Sequence, residues 1–435
     1  MARLIDYRGI QYTVMSSEIL DVIVIGGGPA GLCAAALLAA GGASVRLFER
    51  LPRPGLLSHP CGSMVGPVKG HITLEGRDGG VLFREAGYLF THDMILGYPR
   101  VMRFTGPSGR SFGMTASQRP GTVAAFQVDK GRLIETLARD ARAAGADLCY
   151  GENVSNLVVE GGVVRGVRVA GKEVRSRVVI SAEGLSRRFS REAGLYPGEP
   201  RSHVYVSALY LRGLQLAEGD LGQHCYLGQA FTGIPGATGV FHSLGADRAM
   251  VLLSANAPGL KWPHPGPIGR YLRGFVGRVP GIRKAYESGE VYAEKGCTIV
   301  IDSPSALVAS GFIGAGDTVA PLGHSSNSIA MLMGQEAAGL ALKALETGDV
   351  SAGALSSYNR WLRSKLFAGV QFEGKLIMAL MAMDDREVDA LCDAFEGVDL
   401  EPFFLGSPLE MTAATLKLMA RPAVIRNWGV VRKIF

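Results

Sequence analysis

Paired cysteines are missing from this chain of 435 residues. Its six cysteines stand far apart, and no two of them have the Cys-x-x-Cys spacing of zinc, iron–sulfur or redox sites. This distribution argues against a disulfide framework and favours a reducing compartment, so we predict a cytoplasmic protein without a metal site. The first residues also lack the charged and apolar regions of a secretory signal peptide.

A concentrated positive charge is also missing. The formal net charge is +6, charged residues make up 19% of the chain, and the basic residues are scattered. Because a nucleic-acid binder usually gathers its positive charge on one element, we expect no nucleic-acid partner. The uncharged run from Val22 to Val45 is long, but its glycines predict a buried strand and crossover helix rather than a membrane span.

A glycine-rich turn lies inside that uncharged run. The segment Asp21-Val-Ile-Val-Ile-Gly26-Gly-Gly28-Pro-Ala-Gly31 predicts a strand, a tight turn and the start of a helix. Gly26 permits the turn, Gly28 lets the backbone approach a pyrophosphate, and Gly31 lets the helix pack on the strand. Glu49 ends the next predicted strand, where a carboxylate can accept both hydroxyls of an adenosine ribose. Together these residues predict a dinucleotide site.

Three later segments favour FAD over a nicotinamide dinucleotide. An apolar strand leads into Ala182-Glu183-Gly184, and a second one leads into Gly314-Ala-Gly316-Asp317. Both segments are similar to motifs of two-domain flavoproteins, in which the aspartate binds the ribityl chain. The run Ser326-Asn327-Ser328-Ile329 predicts a helix start, whose backbone N–H groups favour electron density on the flavin pyrimidine.

The order of elements predicts an α/β fold with discontinuous domains. We assign residues 18–84, 127–200 and 296–345 to a Rossmann-type FAD-binding domain. We assign residues 85–126 and 201–295 to an inserted, mainly antiparallel β domain for substrate and catalysis. We expect residues 346–435 to form a C-terminal helical region.

From about residue 20 to residue 375 the chain resembles the geranylgeranyl reductase family of p-hydroxybenzoate-hydroxylase-like flavoproteins. The likeness includes the glycine fingerprint, Gly55 through Cys61-Gly62, Asp129-Lys130 and Tyr358 to Gly374. It implies an FAD-dependent reductase that saturates carbon–carbon double bonds of an isoprenoid lipid. In that reaction, hydride leaves flavin N5 for one alkene carbon and a proton reaches the other. Because no second glycine fingerprint is visible, we expect NADPH to bind only transiently or a ferredoxin-like protein to donate electrons.

The resemblance also implies roles for single residues. Cys61 is the candidate catalytic residue, which either shapes or protonates the alkene, and its alternative role is that of a small buried hydrophobe. The FAD-binding residues would be Gly26, Gly28, Ala30, Gly31, Glu49, Arg50, Cys61, Gly62, Lys130, Val154, Gly184, Gly316, Asp317, Ser328 and Ile329. Lys130 stands where the family usually has arginine, and Ser328 replaces a glycine. The family's aromatic pocket segment corresponds here to Ala237, Gly239 and Phe241.

Other functions remain open at this stage. The main alternative is a single-component FAD-dependent monooxygenase that hydroxylates an aromatic or polyketide substrate. A halogenase is weaker because the Trp-x-Trp-x-Ile-Pro segment is absent, and a flavin electron carrier to quinone lacks the expected cysteine-rich module.

Two apolar, methionine-containing segments, 376–383 and 411–419, predict packed helices. Their alternative is a lipid-chain lining or a peripheral contact with the inner face of a membrane, which the basic residues after position 420 would suit.

Overall fold

A computed structural model describes residues 4–5, 11–12, 19–68, 71–115, 123–200, 202–258, 261–302, 304–319, 326–365, 378–404 and 408–434. The strands are β1 (Leu4–Ile5), β2 (Gln11–Tyr12), β3 (Leu20–Ile25), β4 (Val45–Glu49), β5 (Met64–Val65), β6 (Leu74–Arg77), β7 (Gly80–Phe83), β8 (Tyr88–Thr91), β9 (Ile95–Gly97), β10 (Val101–Thr105), β11 (Ser111–Thr115), β12 (Phe126–Val128), β13 (Asp147–Tyr150), β14 (Val154–Glu160), β15 (Val163–Val169), β16 (Lys172–Ser181), β17 (Ser202–Arg212), β18 (Gly222–Leu227), β19 (Ala237–Ser243), β20 (Arg248–Pro258), β21 (Glu290–Ile301), β22 (Val308–Ala309) and β23 (Phe312–Gly314).

The α-helices are few in the first half of the chain and dominate its end. They are α1 (Pro29–Ala40), α2 (Lys130–Ala143), α3 (Arg188–Glu192), α4 (Gln229–Thr232), α5 (Ile268–Arg278), α6 (Pro280–Ser288), α7 (Asn327–Thr347), α8 (Ala352–Leu355), α9 (Ser357–Lys365), α10 (378–382), α11 (Asp385–Phe395), α12 (Glu401–Phe404), α13 (Pro408–Met419), α14 (Pro422–Arg426) and α15 (Trp428–Val431).

A parallel sheet forms the nucleotide-binding half of the fold. Strands β13, β4, β3, β16 and β23 lie side by side in parallel register, and the hairpin β14–β15 extends the sheet beyond β16. Val22 to Ile25 in β3 are buried, as expected for a strand covered on both faces. Helices α1 and α7 pack closely, because Gly334 has no side chain to strike the carbonyl oxygen of Ala30.

A second, mixed sheet forms the other half. Its strand order is β11-β10-β18-β19-β20-β17-β21, and all neighbouring pairs are antiparallel except β10 and β18. One face is covered by α5, whose Leu272, Phe275 and Val276 are buried in a core with that sheet. The predicted α/β class, with a Rossmann-type sheet and an inserted, mainly antiparallel sheet, is confirmed.

The two sheets divide the chain at slightly different residues from the predicted domains. Strand β21 belongs to the mixed sheet through Ile301, so the predicted boundary at residue 296 falls inside a strand. Within residues 85–126, only β10 and β11 join the mixed sheet, whereas β8 pairs with β7 and both β9 and β12 pair in a small separate sheet. The domain division stays a proposal, and we move this boundary beyond Ile301.

Short helices make up most of the described C-terminal region. Helix α11 begins with a capping box, in which Asp384 and Glu387 satisfy each other's backbone N–H groups. Its Leu391 and Cys392 pack in one core with Phe112 of β11, which ties this region to the edge of the mixed sheet. Among the described residues, none of the helices combines the length and apolar character needed to cross a bilayer.

Candidate active site

A cavity of about 850 Å³ is lined by residues of both large sheets. Its walls include the turn after β3, the end of β4, the loop 50–62, the start of α2 and the cavity face of the mixed sheet. Most of the predicted cofactor residues meet here, namely Gly26, Gly28, Ala30, Glu49, Arg50, Cys61, Gly62, Lys130, Val154, Gly184, Gly316 and Asp317. The structure therefore brings together segments that lie far apart in the chain, such as Gly26 and Gly316, which are 290 positions apart.

The three fingerprint glycines lie in different environments. Gly26 has φ +104°, and a Cβ there would overlap the carbonyl oxygen of Ala182. A Cβ on Gly31 would overlap the carbonyl oxygen of Gly26, so this glycine packs α1 against the turn and does not line the cavity. Gly28 has open space instead, at the N-terminus of α1. Because Gly28 has no side chain, its backbone leaves a cradle for a phosphate group, and a Cβ would partly fill that cradle.

Glu49 is held in a fixed orientation at the end of β4. One carboxylate oxygen accepts the N–H of Gly27 at 2.7 Å, and the other accepts the N–H of Leu51 at 2.8 Å. Hydrogen bonds from N–H groups to a carboxylate are among the stronger ones in proteins. The carboxylate therefore lines the cavity in a geometry that the turn itself defines.

A tyrosine that was not predicted supports the same end of the cavity. Tyr150 and Val154 both line it, and the buried hydroxyl of Tyr150 has no hydrogen-bond partner among the described residues. Burial raises the pKa of this hydroxyl, so it remains a protonated donor. An adenine or ribose can satisfy such a group. Together with Gly28 and Glu49, it fits the adenosine diphosphate half of FAD.

Glu183 has a structural role in the segment next to Gly184. Its carboxylate accepts the backbone N–H groups of Arg188, Phe189 and Ser190 and so caps α3. It also accepts a hydrogen bond from the hydroxyl of Thr318 at 3.3 Å. Glu183 thereby joins the two predicted flavoprotein segments.

The loop that carries Cys61 is attached to the mixed sheet. The hydroxyl of Tyr210 accepts the N–H of Cys61 at 2.9 Å and donates to the carbonyl oxygen of Cys61 at 3.3 Å. Nε2 of His242 donates to the carbonyl oxygen of Gly62 at 2.9 Å. Burial raises the pKa of Tyr210 to about 12 and lowers the pKa of His242 to about 4, so both side chains are neutral at pH 7.

Charged side chains surround the thiol of Cys61. Lys130 is partly buried, and its Nζ lies 3.4 Å from the sulfur. Burial alone would lower the pKa of Lys130, but Cys61 and the carboxylate of Asp317 outweigh burial and raise it, so the amine is protonated. His59 also lines the cavity, and burial together with the charge of Lys130 lowers its pKa to about 4. The thiol therefore has one partly buried cation in direct contact and a neutral imidazole nearby.

Ser328 and Ile329 do not line the cavity. The hydroxyl of Ser328 donates to the carbonyl oxygen of Gly66 at 2.7 Å, and Ile329 is buried in the core. Their neighbours Ser326 and Asn327 line the cavity instead, and Asn327 Nδ2 donates to the carbonyl oxygen of Met64. The first turn of α7 is thus tied to the loop after β5, and its predicted contact with a flavin stays a prediction.

The structure does not bring Ala237, Gly239 and Phe241 into the cavity. All three lie in the core between the mixed sheet and α5, where a Cβ on Gly239 would overlap the ring of Phe275. Side chains alternate between the faces of a strand, so a shift of one residue exchanges the faces. The predicted pocket residues are therefore corrected, because they occupy the face of β19 opposite to the cavity.

The cavity face of the mixed sheet carries a different apolar set. These side chains come from β17, β20, β21 and α10, and they are Val204, Val206, Leu252, Cys297, Ile299, Met378 and Met381. Met381 is buried against Val204 and Val206, so this part of the methionine-containing segment both packs and lines the cavity. Alternation along β17 is the sequence signal that could have selected Val204 and Val206.

Comparisons with known proteins agree with this geometry. The model of the NAD(P)-binding Rossmann-like domain matches residues 24–63. Digeranylgeranylglycerophospholipid reductase of Methanosphaerula palustris is 28% identical over 420 residues, which cover 91% of this chain and 94% of that protein. The predicted resemblance to the geranylgeranyl reductase family is confirmed.

Solved structures confirm the fold. A geranylgeranyl bacteriochlorophyll reductase-like protein from Thermoplasma acidophilum superposes with a TM-score of 0.75 at 22% identity, covering 95% of this chain and 99% of that chain. The flavin-dependent brominase Bmp2 superposes with a TM-score of 0.61 at 15% identity, covering 93% and 100%. At these identities the two likenesses establish the p-hydroxybenzoate-hydroxylase-like fold.

Proposed function

We propose that this protein is an FAD-dependent reductase that saturates carbon–carbon double bonds of an isoprenoid lipid. One observation carries the proposal. The apolar wall of Val206, Leu252 and Met381 lines the same cavity as the dinucleotide cradle and Cys61. The name of the Methanosphaerula relative, which matches this chain over nearly all of its length, supports the same substrate class.

FAD fits the residues present. Gly28 and the start of α1 would hold its pyrophosphate, Glu49 its ribose and Asp317 its ribityl chain, while Gly62 would border its ring system. When bound and reduced, FAD supplies hydride chemistry, which the side chains of this protein do not. NADPH or a ferredoxin-like protein would reduce it, and this choice of donor is part of the proposal.

The residues of the cavity form an apolar site in which an unreactive alkene can be held. The apolar wall excludes water and favours an aliphatic chain over a polar substrate. Holding the alkene in one position within the cavity lowers the entropic part of the activation barrier. The hydrogen bonds from Tyr210 and His242 keep the Cys61–Gly62 loop in one position, so the thiol is a defined group beside the substrate.

We expect purified protein reconstituted with FAD to add two hydrogens per double bond to a geranylgeranyl lipid. The reaction is run without oxygen and with dithionite, NADPH or a reduced ferredoxin in separate arms, and the products are weighed by mass spectrometry. Protein without FAD is the control. An unchanged lipid in every arm would contradict the proposal. Hydroxylation of an aromatic substrate in air with NADPH would favour the monooxygenase alternative.

We also propose that the C-terminal helices contact an anionic lipid surface. Leu409, Leu416 and Ile425 are 80%, 68% and 65% exposed, and Met419 and Trp428 are exposed as well. We call these five residues the C-terminal patch. Residues 408–435 contain five basic side chains, and Glu410 is their one acidic side chain. An apolar surface among basic residues is typical of peripheral membrane binding.

Vesicle binding tests the C-terminal patch. Wild-type protein should sediment with vesicles rich in phosphatidylglycerol and should sediment less with pure phosphatidylcholine. The double variant Leu416→Glu with Ile425→Glu should lose at least about tenfold in binding, because two apolar side chains become anionic. Leu89→Glu, at a site that is 39% exposed in β8, is the matched control and should bind normally. Equal binding by all three proteins, or self-association through the patch, would contradict the lipid contact.

A further inference from the structure

We propose that Arg187 is a positioning residue, which holds the apolar wall of the mixed sheet against the flavin-binding half of the protein through Asp302. This inference rests on the proposed function, because it concerns how the substrate wall is kept in place beside the bound cofactor.

Arg187 combines two unfavourable features. Its side chain is only 2% exposed although it carries a charge, and its φ of 54° lies in the left-handed region that residues with a Cβ rarely adopt. Residues in such conformations persist where their surroundings enforce them, and they concentrate at functional sites. The surroundings of Arg187 must therefore compensate for both features.

The compensation comes from Asp302. Nη1 of Arg187 donates to the carboxylate of Asp302 at 2.5 Å and to its carbonyl oxygen at 3.2 Å. Arg191 of α3 forms an ion pair with the other carboxylate oxygen, and the side chain of Asp302 is only 11% exposed. A buried charge is tolerated where it is paired and hydrogen-bonded, and removing one partner is costly. The position of Arg187 is therefore coupled to that of Asp302.

The ion pair joins the two halves of the fold. Arg187 lies in the segment after β16 of the parallel sheet, and it lines the cavity. Asp302 directly follows the end of β21 in the mixed sheet, where the chain leaves that sheet toward β22 and β23. Cys297 and Ile299 of β21 line the cavity. The pair therefore fixes the end of a strand that carries part of the apolar wall.

Further contacts connect Arg187 to the predicted ribityl aspartate, Asp317. The Cζ atoms of Arg187 and Arg191 lie 5.6 Å and 5.0 Å from the centroid of the Tyr196 ring. Burial raises the pKa of Tyr196 to about 12, so its hydroxyl stays protonated and donates to the carbonyl oxygen of Thr318 at 2.7 Å. Thr318 follows Asp317 in the chain. Contacts thus run from the end of the substrate wall to the segment that we propose binds FAD.

Such a connection matters because hydride transfer depends on distance. A misplacement of about 1 Å can slow a reaction about a hundredfold. Without the Arg187–Asp302 pair, the end of β21 can move away from the nucleotide half, and a bound alkene moves with the wall. The residues of the dinucleotide cradle keep their contacts. We therefore expect slower chemistry with an unchanged affinity for FAD.

Steady-state kinetics of Arg187→Met test the proposal. With FAD bound and a geranylgeranyl lipid as substrate, kcat should fall at least about tenfold, whereas KM and the FAD dissociation constant should stay within about threefold of wild type. Arg187→Lys keeps the charge and can donate to Asp302, so it should recover part of kcat. Arg175→Met, which removes an exposed ion pair with Glu160 in β16, is the matched control and should behave as wild type.

Iodide quenching of flavin fluorescence tests the same connection without substrate, at a temperature where thermal unfolding shows every variant to be folded. The quenching constant of Arg187→Met should be at least about threefold larger than that of wild type, because a wall that moves away admits the ion to the cavity.

Wild-type quenching and wild-type kcat in Arg187→Met would overturn the proposal, even if the variant unfolded at a lower temperature. Loss of FAD from Arg187→Met would also overturn it and make Arg187 a cofactor ligand. Stronger quenching in Arg187→Met, with no lipid reduction by wild type, would support the connection between the two halves and overturn the proposed function alone.

Discussion

Alanine at Gly31 is expected to abolish flavin binding and to destabilise the folded chain by about 3 kcal/mol or more. The added Cβ would overlap the carbonyl oxygen of Gly26, which is backbone and cannot rotate away. Helix α1 would have to move outward from the turn, and the cradle at its N-terminus would move with it. Thermal unfolding and visible absorption of the reconstituted protein measure the two effects.

Gly28→Ala is the matched control for this expectation. Gly28 has φ −80° and ψ 179°, which any residue can adopt, and a Cβ there meets no protein atom within 4 Å. This variant should unfold at the wild-type temperature but bind FAD at least about tenfold more weakly, a difference of about 1.4 kcal/mol. Wild-type flavin affinity in Gly28→Ala would show that the open space at this glycine is not the phosphate cradle.

Tryptophan at Val206 is expected to lower kcat/KM for an isoprenoid substrate by about two orders of magnitude. Val206 lies on the cavity face of β17 beside Met381, so the larger ring enters the space that we assign to the lipid chain. Flavin content should not change, because the dinucleotide residues lie on the other sheet. Steady-state rates and visible absorption distinguish a blocked pocket from a lost cofactor.

Val291→Trp provides the comparison for Val206→Trp. Val291 lies in β21 of the same sheet, is 37% exposed and does not line the cavity. Its tryptophan variant should turn over lipid at the wild-type rate. If Val206→Trp also retained wild-type kcat/KM, the apolar wall would not be the substrate site.

The nucleotide half of the fold could be predicted from the sequence, because its signals are local. Gly26, Gly28 and Gly31 each reflect a constraint that acts within a few residues, and the apolar strand before them marks a buried parallel strand. Glu49 follows from the spacing of a single βαβ unit. The cavity joins these residues to Asp317, as the order of motifs led us to expect.

The sequence predicted that the second sheet is mainly antiparallel, but it did not predict which residues of its strands face the cavity. On β19, Ala237, Gly239 and Phe241 form an apolar face that packs on α5, whereas Thr238, Val240 and His242 form a mixed face on the cavity side. An apolar face suits a lipid pocket as well as a packed helix. Polarity therefore did not reveal which alternate residues face α5, and Ala237, Gly239 and Phe241 were assigned to the wrong face. Tyr210 and His242 were not predicted as site residues, because their hydrogen bonds to residues 61 and 62 span about 150 and 180 positions of the chain.

The attachment of the Cys61 loop has a consequence for acidity. Tyr210 and His242 carry no charge between pH of about 4 and about 12, so the hydrogen bonds to Cys61 and Gly62 need no ion pair that salt or mild acid could disrupt. The position of the Cys61–Gly62 loop is thus insensitive to salt and to mild acid, because neutral side chains hold it in place.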